Sequence, residues 1–182
     1  MGPQVPIEIV EAARTGGVRE VERLLEMVWT DAYRLSQAIV AHRQCAEDVA
    51  QEACVIMFSH IRSLRSAEAF RTWFYRIVVR EALKQKTQLY ASSEAMPDPG
   101  YCEDPSASLD LWHALATLTD KHRAAIVLHY FEGLPTREIG EVLHIPDATV
   151  RFRLMTARRK LRSTLKAIDL KAASKDDGLY AL

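Results

Sequence analysis

The chain has 182 residues, 20.6 kDa, with 48% hydrophobic and 26% charged residues, the make-up of one ordinary domain or two small ones and not of a disordered or repetitive chain. Its 24 basic and 24 acidic residues cancel, and no apolar run approaches the ~20 residues of a membrane helix, so membrane insertion is not expected. The N-terminus lacks a basic stretch followed by an apolar core, and three cysteines without a CxxC pair argue against a disulfide framework or zinc knuckle, so the expectation is a cytoplasmic protein with free thiols.

The first predicted element is a helix or helix pair over about 6–40, with Gly16-Gly17 as its break. Residues 46–61 follow, where Val49, Ala53, Ile56, Met57 and His60 form a one-sided stripe with Glu47, Asp48, Gln51 and Glu52 along its rim. A short polar loop, 62–69, leads into a helix over 70–86. Phe70, Trp73, Phe74 and Ile77 mark the apolar stripe of that helix, and Arg71, Arg76, Arg80 and Lys84 occupy the rest of the cylinder. No run alternates at period 2, so no strands are expected.

Charge is segregated along this order. Residues 62–88 carry seven basic against two acidic side chains, 89–110 carry five acidic and no Lys or Arg, and 147–166 carry seven basic against Asp147 alone. Two cationic blocks around an anionic one suit two separate contacts with a polyanion. The middle block, with Pro97, Pro99 and Pro105 among Ser, Gly and acidic residues, reads as a flexible linker over 89–107.

The C-terminal part, 108–168, reads as four helices, followed by a polar tail over 169–182 expected to fray. The last two helices are the informative ones. Residues 137–143 make a short helix, His144-Ile145-Pro146 a tight connection, and Asp147 opens a long helix with Val150, Leu154, Ala157 and Leu161 on one side. Helix, three-residue turn, helix is the pattern of a helix-turn-helix, in which small Gly140 permits a close crossing and Ile145 and Val150 fill the angle. Ala148, Arg151, Phe152, Met155 and Arg158 fall on the opposite face, where a DNA groove would be met.

These blocks together resemble the extracytoplasmic-function (ECF) group of sigma-70 type RNA polymerase sigma factors, over residues from about 9 to 166. AEDVAQEACVIMF (46–58) and AFRTWFYRIVVREAL (69–83) are similar to sigma region 2, and LTDKHRAAIVLHYFEGLPTREIGEVLHIPDATVRFRLMTARRKLRSTL (118–165) to sigma region 4. The resemblance implies an all-α fold of two small helical domains, a region 2 domain over 6–88 and a region 4 domain over 108–168. It implies core RNA polymerase as partner, through the clamp of the largest subunit and the flap of the second-largest, with Asp48, Gln51 and Glu52 at the clamp contact. It implies promoter DNA as the second partner. The minus 10 element would be met by Ser63, Leu64, Arg65, Ser66, Phe70, Trp73, Arg76, Arg80 and Lys84, with core packing an equal reading for Phe70 and Trp73. The minus 35 element would be met by Thr149, Arg151, Phe152, Arg153, Met155, Thr156, Arg158 and Lys160. An anti-sigma factor is left open as a further partner.

Four positions depart from the family pattern: Arg80 stands where a small polar residue is common, Phe152 for a common Ser, Thr156 for a common Arg and His144 for the Gly of the turn. The base preference is therefore not implied by the resemblance. His42 and Cys45 share a helix face, but two ligands without a third do not make a metal site. No GxxxxGK[ST], GxSxG or HExxH occurs, so neither cofactor nor enzymatic activity is expected. The alternative reading is a stand-alone helix-turn-helix regulator, which has no need for Asp48, Gln51 and Glu52 beside a basic aromatic helix.

Overall fold

The computed structural model describes the backbone of residues 5–91 and 109–177 and the side chains of 5–88 and 111–168. Among the described residues it is all helical, without strands, as the absence of period-2 alternation predicts. The N-terminal half contains α1 (Ile7–Thr15), α2 (Val18–Val40), α3 (Arg43–His60) and α4 (Phe70–Ala91). The C-terminal half contains α5 (Leu109–Ala116), α6 (Asp120–Ile126) continuing into a π-helical turn (Val127–Phe131), α7 (Thr136–Leu143) and α8 (Asp147–Asp177). Most of the proposed linker lies outside the described residues.

α2 packs along α3 and α4, with α1 laid across α2. Alanines with no exposure, Ala32 on α2 and Ala46, Ala50 and Ala53 on α3, face this contact, and their small size lets the helices approach closely. Leu24, Leu35, Ile39, Met57, Ile61 and Phe74 fill the space between them. The Gly16-Gly17 break falls where it was expected, between α1 and α2.

The α3 stripe needs one correction. Its buried positions are Cys45, Ala46, Val49, Ala50, Ala53, Cys54 and Met57, while Ile56 is half-buried and His60 is exposed, its Nδ1 2.9 Å from the Ile56 carbonyl. A stripe in which Ala and Cys outnumber larger apolar residues is hard to see by hydrophobicity, and a terminal His reads as apolar only by position. α3 also starts earlier than the stripe suggests. His42 is its N-cap, Nδ1 accepting from the Cys45 amide at 3.4 Å, and Ala41 closes α2 in the left-handed region at φ 57°. Capping thus accounts for His42. Among the described residues no group of three or more His, Cys, Asp or Glu could hold a metal ion.

In the C-terminal half α8 is the central strut, packing on α5, α6 and α7. Leu115, Leu128, Leu134, Ile139, Val150, Leu154 and Ala157 form its core. α8 runs on to Asp177, past the tail boundary read from polarity at 168. Lys, Ala and Asp suffice to propagate a helix already formed, and the first breaker is Gly178.

The halves meet along a seam of α4 against α7 and of α2 against α6 and the π turn. Its chemistry is polar and buried. Arg123, 3% exposed, donates from Nε to the Leu115 carbonyl (2.9 Å), from Nη2 to Ala116 (2.8 Å) and from Nη1 across the seam to Ile39 (3.1 Å). Lys86, 4% exposed, donates to the same Ile39 carbonyl at 3.3 Å and pairs with Asp120 at 2.5 Å. The Ile39 carbonyl lies at the end of α2, so two cations satisfy acceptors that the helix itself leaves open.

Candidate nucleic-acid interface

The helix-turn-helix is built as the sequence predicts. His144 stands in the left-handed region at φ 52°, ψ 48°, and its amide and that of Ile145 both return to the Gly140 carbonyl, the latter at 3.0 Å. A Cβ on Gly140 would lie 2.8 Å from the Ile145 carbonyl oxygen, so the residue must be glycine for the turn to close. His tolerates the left-handed conformation better than bulky residues do, and no glycine is needed at 144. Ile145 packs partly buried against the core and Val150 is fully buried, filling the angle between the helices.

This geometry turns the opposite face of α8 outward. Ala148, Arg151, Phe152, Met155, Arg158 and Lys160 are exposed, and Thr149, Arg153 and Thr156 are half-buried along one flank. Arg151 pairs with Asp147 at 2.7 Å, and Arg158 Nε donates to its own helix at Leu154 O, 3.2 Å away. Burial first, then the charges of Arg153 and Lys160, pushes His122 on α6 below the usual histidine range, which places those two cations on the α6 side of the helix.

On the N-terminal half, Ser63, Leu64, Arg65, Ser66, Trp73 and Arg76 line one cleft of about 820 Å³. The loop enters it through two 3-10 turns, Ile61–Ser63 and Ala67–Ala69, and is tied down by Arg14, whose Nε donates to Leu64 O at 2.8 Å. Leu64 and Phe70 are buried, and Phe70 stacks on Phe74 at 5.6 Å between centroids, so in this arrangement both serve the core. Trp73 is half-buried and tilted against Phe70. Arg80 and Lys84 stand outside the cleft, exposed, each paired with the buried Glu81.

The opposite wall of that cleft belongs to the C-terminal half. Glu138 and Glu141 of α7 face the loop, and Arg76 donates to the Glu141 carbonyl at 3.1 Å while its buried Nε has no partner. Further along, Arg71 donates to the Glu132 carbonyl and Tyr75 to the Glu132 carboxylate at 2.5 Å. Burial, then the Glu132 charge, pushes Asp31 up to about 6, and burial raises Glu132 as well. The seam therefore holds two carboxylates that burial disfavours in their charged form.

α3 presents Asp48, Gln51 and Glu52 on an exposed face. Val55, 54% exposed, and Phe58, 46% exposed, extend that face toward the end of the helix. Sequence reading missed both. The available signal was that they fall opposite the buried stripe, at i+3 and i+6 from Glu52. A helix face that mixes carboxylates with two unburied large apolar groups suits a protein partner better than bulk water. Cys45 and Cys54 are buried, and burial pushes the Cys54 thiol up to about 11, which leaves it protonated and unreactive at neutral pH. No helix among the described residues is long and apolar enough to cross a membrane.

The models of Sigma-70 region 2 and Sigma-70 region 4 match residues 21–89 and 108–161. Among curated proteins, the chain is 32% identical to the ECF RNA polymerase sigma factor SigW of Bacillus subtilis (strain 168) over 154 residues, covering 74% of this chain and 82% of the relative. It is 33% identical to the RNA polymerase sigma factor SigV of the same strain over 146 residues, covering 77% and 87%. Among solved structures, it is similar to CnrH in complex with the cytosolic domain of CnrY (TM-score 0.70, 21% identity, 88% of this chain and 97% of that one). It is also similar to the Bartonella quintana sigma factor RpoE in complex with the anti-sigma factor NepR (TM-score 0.71, 19% identity, 82% and 98%). At these identities the structural matches establish the fold.

Proposed function

The chain belongs to the ECF group of sigma-70 RNA polymerase sigma factors, and from that premise we propose that it docks on core RNA polymerase through α3 and brings two DNA-reading surfaces to a promoter. The observation that carries this reading is the pairing, in one chain, of an outward-facing helix-turn-helix with a second half that has an exposed α3 face and a loop wall bearing Arg65, Trp73 and Arg76. A stand-alone regulator needs only the first.

Each surface has a physical task. Asp48, Gln51 and Glu52 offer acceptors and a donor to a basic or amide-rich helix of the polymerase clamp, and Val55 and Phe58 supply apolar area for its core. Ser63, Leu64, Arg65, Ser66, Trp73 and Arg76 form the wall against which an extruded base would rest once α7 withdraws, and the few kcal/mol that its unstacking costs are offset by stacking and phosphate contacts. Phe70 supports that cleft from below, while Arg80 and Lys84 continue the cationic path along α4. α8 enters the major groove of the minus 35 element, with Thr149, Arg151, Phe152, Met155 and Thr156 near base edges and Arg153, Arg158 and Lys160 near phosphates. The work is binding and strand separation, with bond formation left to the polymerase, and the setting is the cytoplasm.

The closed seam bears on this task. Elements centred about 25 base pairs apart are separated by ~85 Å along B-DNA, whereas a compact chain of this length has a radius of gyration of only about 16 Å. The halves must part for both elements to be held, and the carboxylates of Glu138 and Glu141 must leave the cleft before a phosphate backbone enters it. An anti-sigma partner that favours the closed form would act at this step.

The test is transcription from a promoter library with the purified chain and core RNA polymerase. Initiation that requires both components supports the reading. Duplex binding by the chain alone, with no polymerase complex, overturns it in favour of a helix-turn-helix regulator.

A further inference from the structure

The recognition helix carries an unusual centre. At 100° per residue, the buried residues Val150, Leu154, Ala157 and Leu161 define the inward direction of α8, and Phe152 points about 170° away from their mean. Phe152 is 60% exposed and Met155 is 56% exposed, and Ala148 lies between them on the same face, one turn earlier. Single exposed apolar side chains are ordinary on a protein surface. Two of the largest, adjacent at i and i+3 on the one helix that must enter a groove, form a strip with a chemical preference.

The polar side chains around the strip are placed differently. Arg151 is held by the Asp147 carboxylate on its own helix at 2.7 Å, and pairing with a guanine would have to break that contact. Thr149 and Thr156 are half-buried on the flank. Arg159, exposed and making no side-chain hydrogen bond or ion pair among the described residues, stands one turn beyond Met155. The outward face therefore offers methyl, thioether and aromatic surface over the first turns of α8, with Arg159 on the same line one turn further and the other cations at its margins.

In the major groove the one apolar group a base pair presents is the 5-methyl of thymine. Resting on the sigma reading, we infer that this chain selects its minus 35 element through thymine methyl groups packed against Phe152 and Met155, with arginine–guanine pairing secondary. The ligand class is duplex DNA with neighbouring T·A pairs under the Ala148–Phe152–Met155 strip. Phe152 and Met155 are the specificity-determining residues, and Arg153, Arg158 and Lys160 add affinity that is blind to sequence.

Thymine and uracil differ by that methyl alone and pair identically, which gives a direct experiment. Full-length chain with core RNA polymerase is used to select active promoters from a library randomised over the minus 35 element. The enriched T·A positions are then remade one at a time with deoxyuridine in the duplex. Removing one buried methyl group is expected to lower promoter occupancy about fourfold, the ratio for ~0.8 kcal/mol per buried methylene. Phe152→Ser or Met155→Ser should make thymine and uracil equivalent at one position each while leaving the helical circular dichroism unchanged, since both side chains are exposed. Equal occupancy with thymine and uracil in the unsubstituted chain overturns the inference and leaves the sigma reading standing. So does a selected element dominated by G·C pairs that responds to Arg151→Ala alone. Failure to initiate from any library member overturns the sigma reading, and this inference with it.

Discussion

The seam and α8 are both rich in cations, and they use them in opposite ways. At the seam, Arg71, Lys86 and Arg123 are directed at carbonyls and carboxylates of the protein itself, two of them nearly without solvent. On α8, Arg153, Arg159, Lys160 and Arg162 make no side-chain hydrogen bond or ion pair among the described residues. A count of charge along the chain treats the two blocks as equivalent. Burial and pairing separate Arg71 and Lys86 of the first block, which with Arg123 hold the molecule closed, from the cations of α8, which are available to a polyanion.

The sharpest way to break this contrast is at Arg123. Replacing it with Ala strips the Ala116 carbonyl of its side-chain donor and leaves those of Leu115 and Ile39 with only the Leu118 amide and Lys86, an expected loss of ~3 kcal/mol, the upper range for hydrogen bonds left unmade in a buried site. Denaturant unfolding of the whole chain measures it. A loss below 1 kcal/mol would mean that water reaches these carbonyls and that the seam is not dry.

Asp31 tests the same seam by pH. Its carboxyl is raised from 3.8 to about 6 by burial and by Glu132, so between those values the folded chain binds a proton that the unfolded chain has lost. Stability from this group is therefore complete below about 4 and is lost as pH rises through 6, the reverse of an ion-paired carboxylate. Asp31→Asn should stabilise the closed chain at pH 7 by up to ~3 kcal/mol. The gain should vanish below about pH 4, as the carboxyl becomes protonated in the folded and unfolded chain alike. An advantage of the variant that is independent of pH would assign the effect to packing instead.

Lys86→Ala is a milder break. It removes the cation and leaves Asp120 40% exposed and able to hydrate, so ~1–2 kcal/mol is expected, short of the figure for stranding a buried charge. Small-angle scattering should report a larger radius for this variant as the halves separate. Unchanged dimensions would show that Arg123 and the α4–α7 contact close the seam without Lys86.

How much of this the sequence carries depends on the range of the interaction. Helix-turn-helix geometry is local. Gly140, His144 and Pro146 set the turn, and the apolar spacing of Val150, Leu154 and Ala157 fixes which face of α8 looks outward, so the minus 35 candidates could be placed from their numbers. α3 is local too, but Ala46 and Ala50 are too weakly apolar to mark its buried stripe, and Val55 and Phe58 go unnoticed because a hydrophobic residue on the outer face has no period of its own. The seam is wholly non-local. Arg71 finds Glu132 and Lys86 finds Asp120 across a segment whose composition carries no pairing rule, so no spacing in the chain could reveal that these two cations of the first block are structural.

Arg159 supplies the opposite pole of the comparison and the smallest expected effect on the fold. It is exposed and contributes nothing visible to packing, so Arg159→Ala should alter stability by less than ~0.5 kcal/mol. If it meets a phosphate when α8 enters a groove, its loss should weaken binding equally across DNA sequences. The slope of log affinity against log salt should fall in magnitude by about 0.9, one phosphate contact. Arg123→Ala, corrected for unfolded chain, should leave that slope untouched. The two variants thus separate a cation that binds the protein from one that binds DNA by two measurements that do not share a cause. A salt slope unchanged by Arg159→Ala would move the phosphate contacts to the α6 flank, to Arg153 and Lys160, where their charges are already felt by His122.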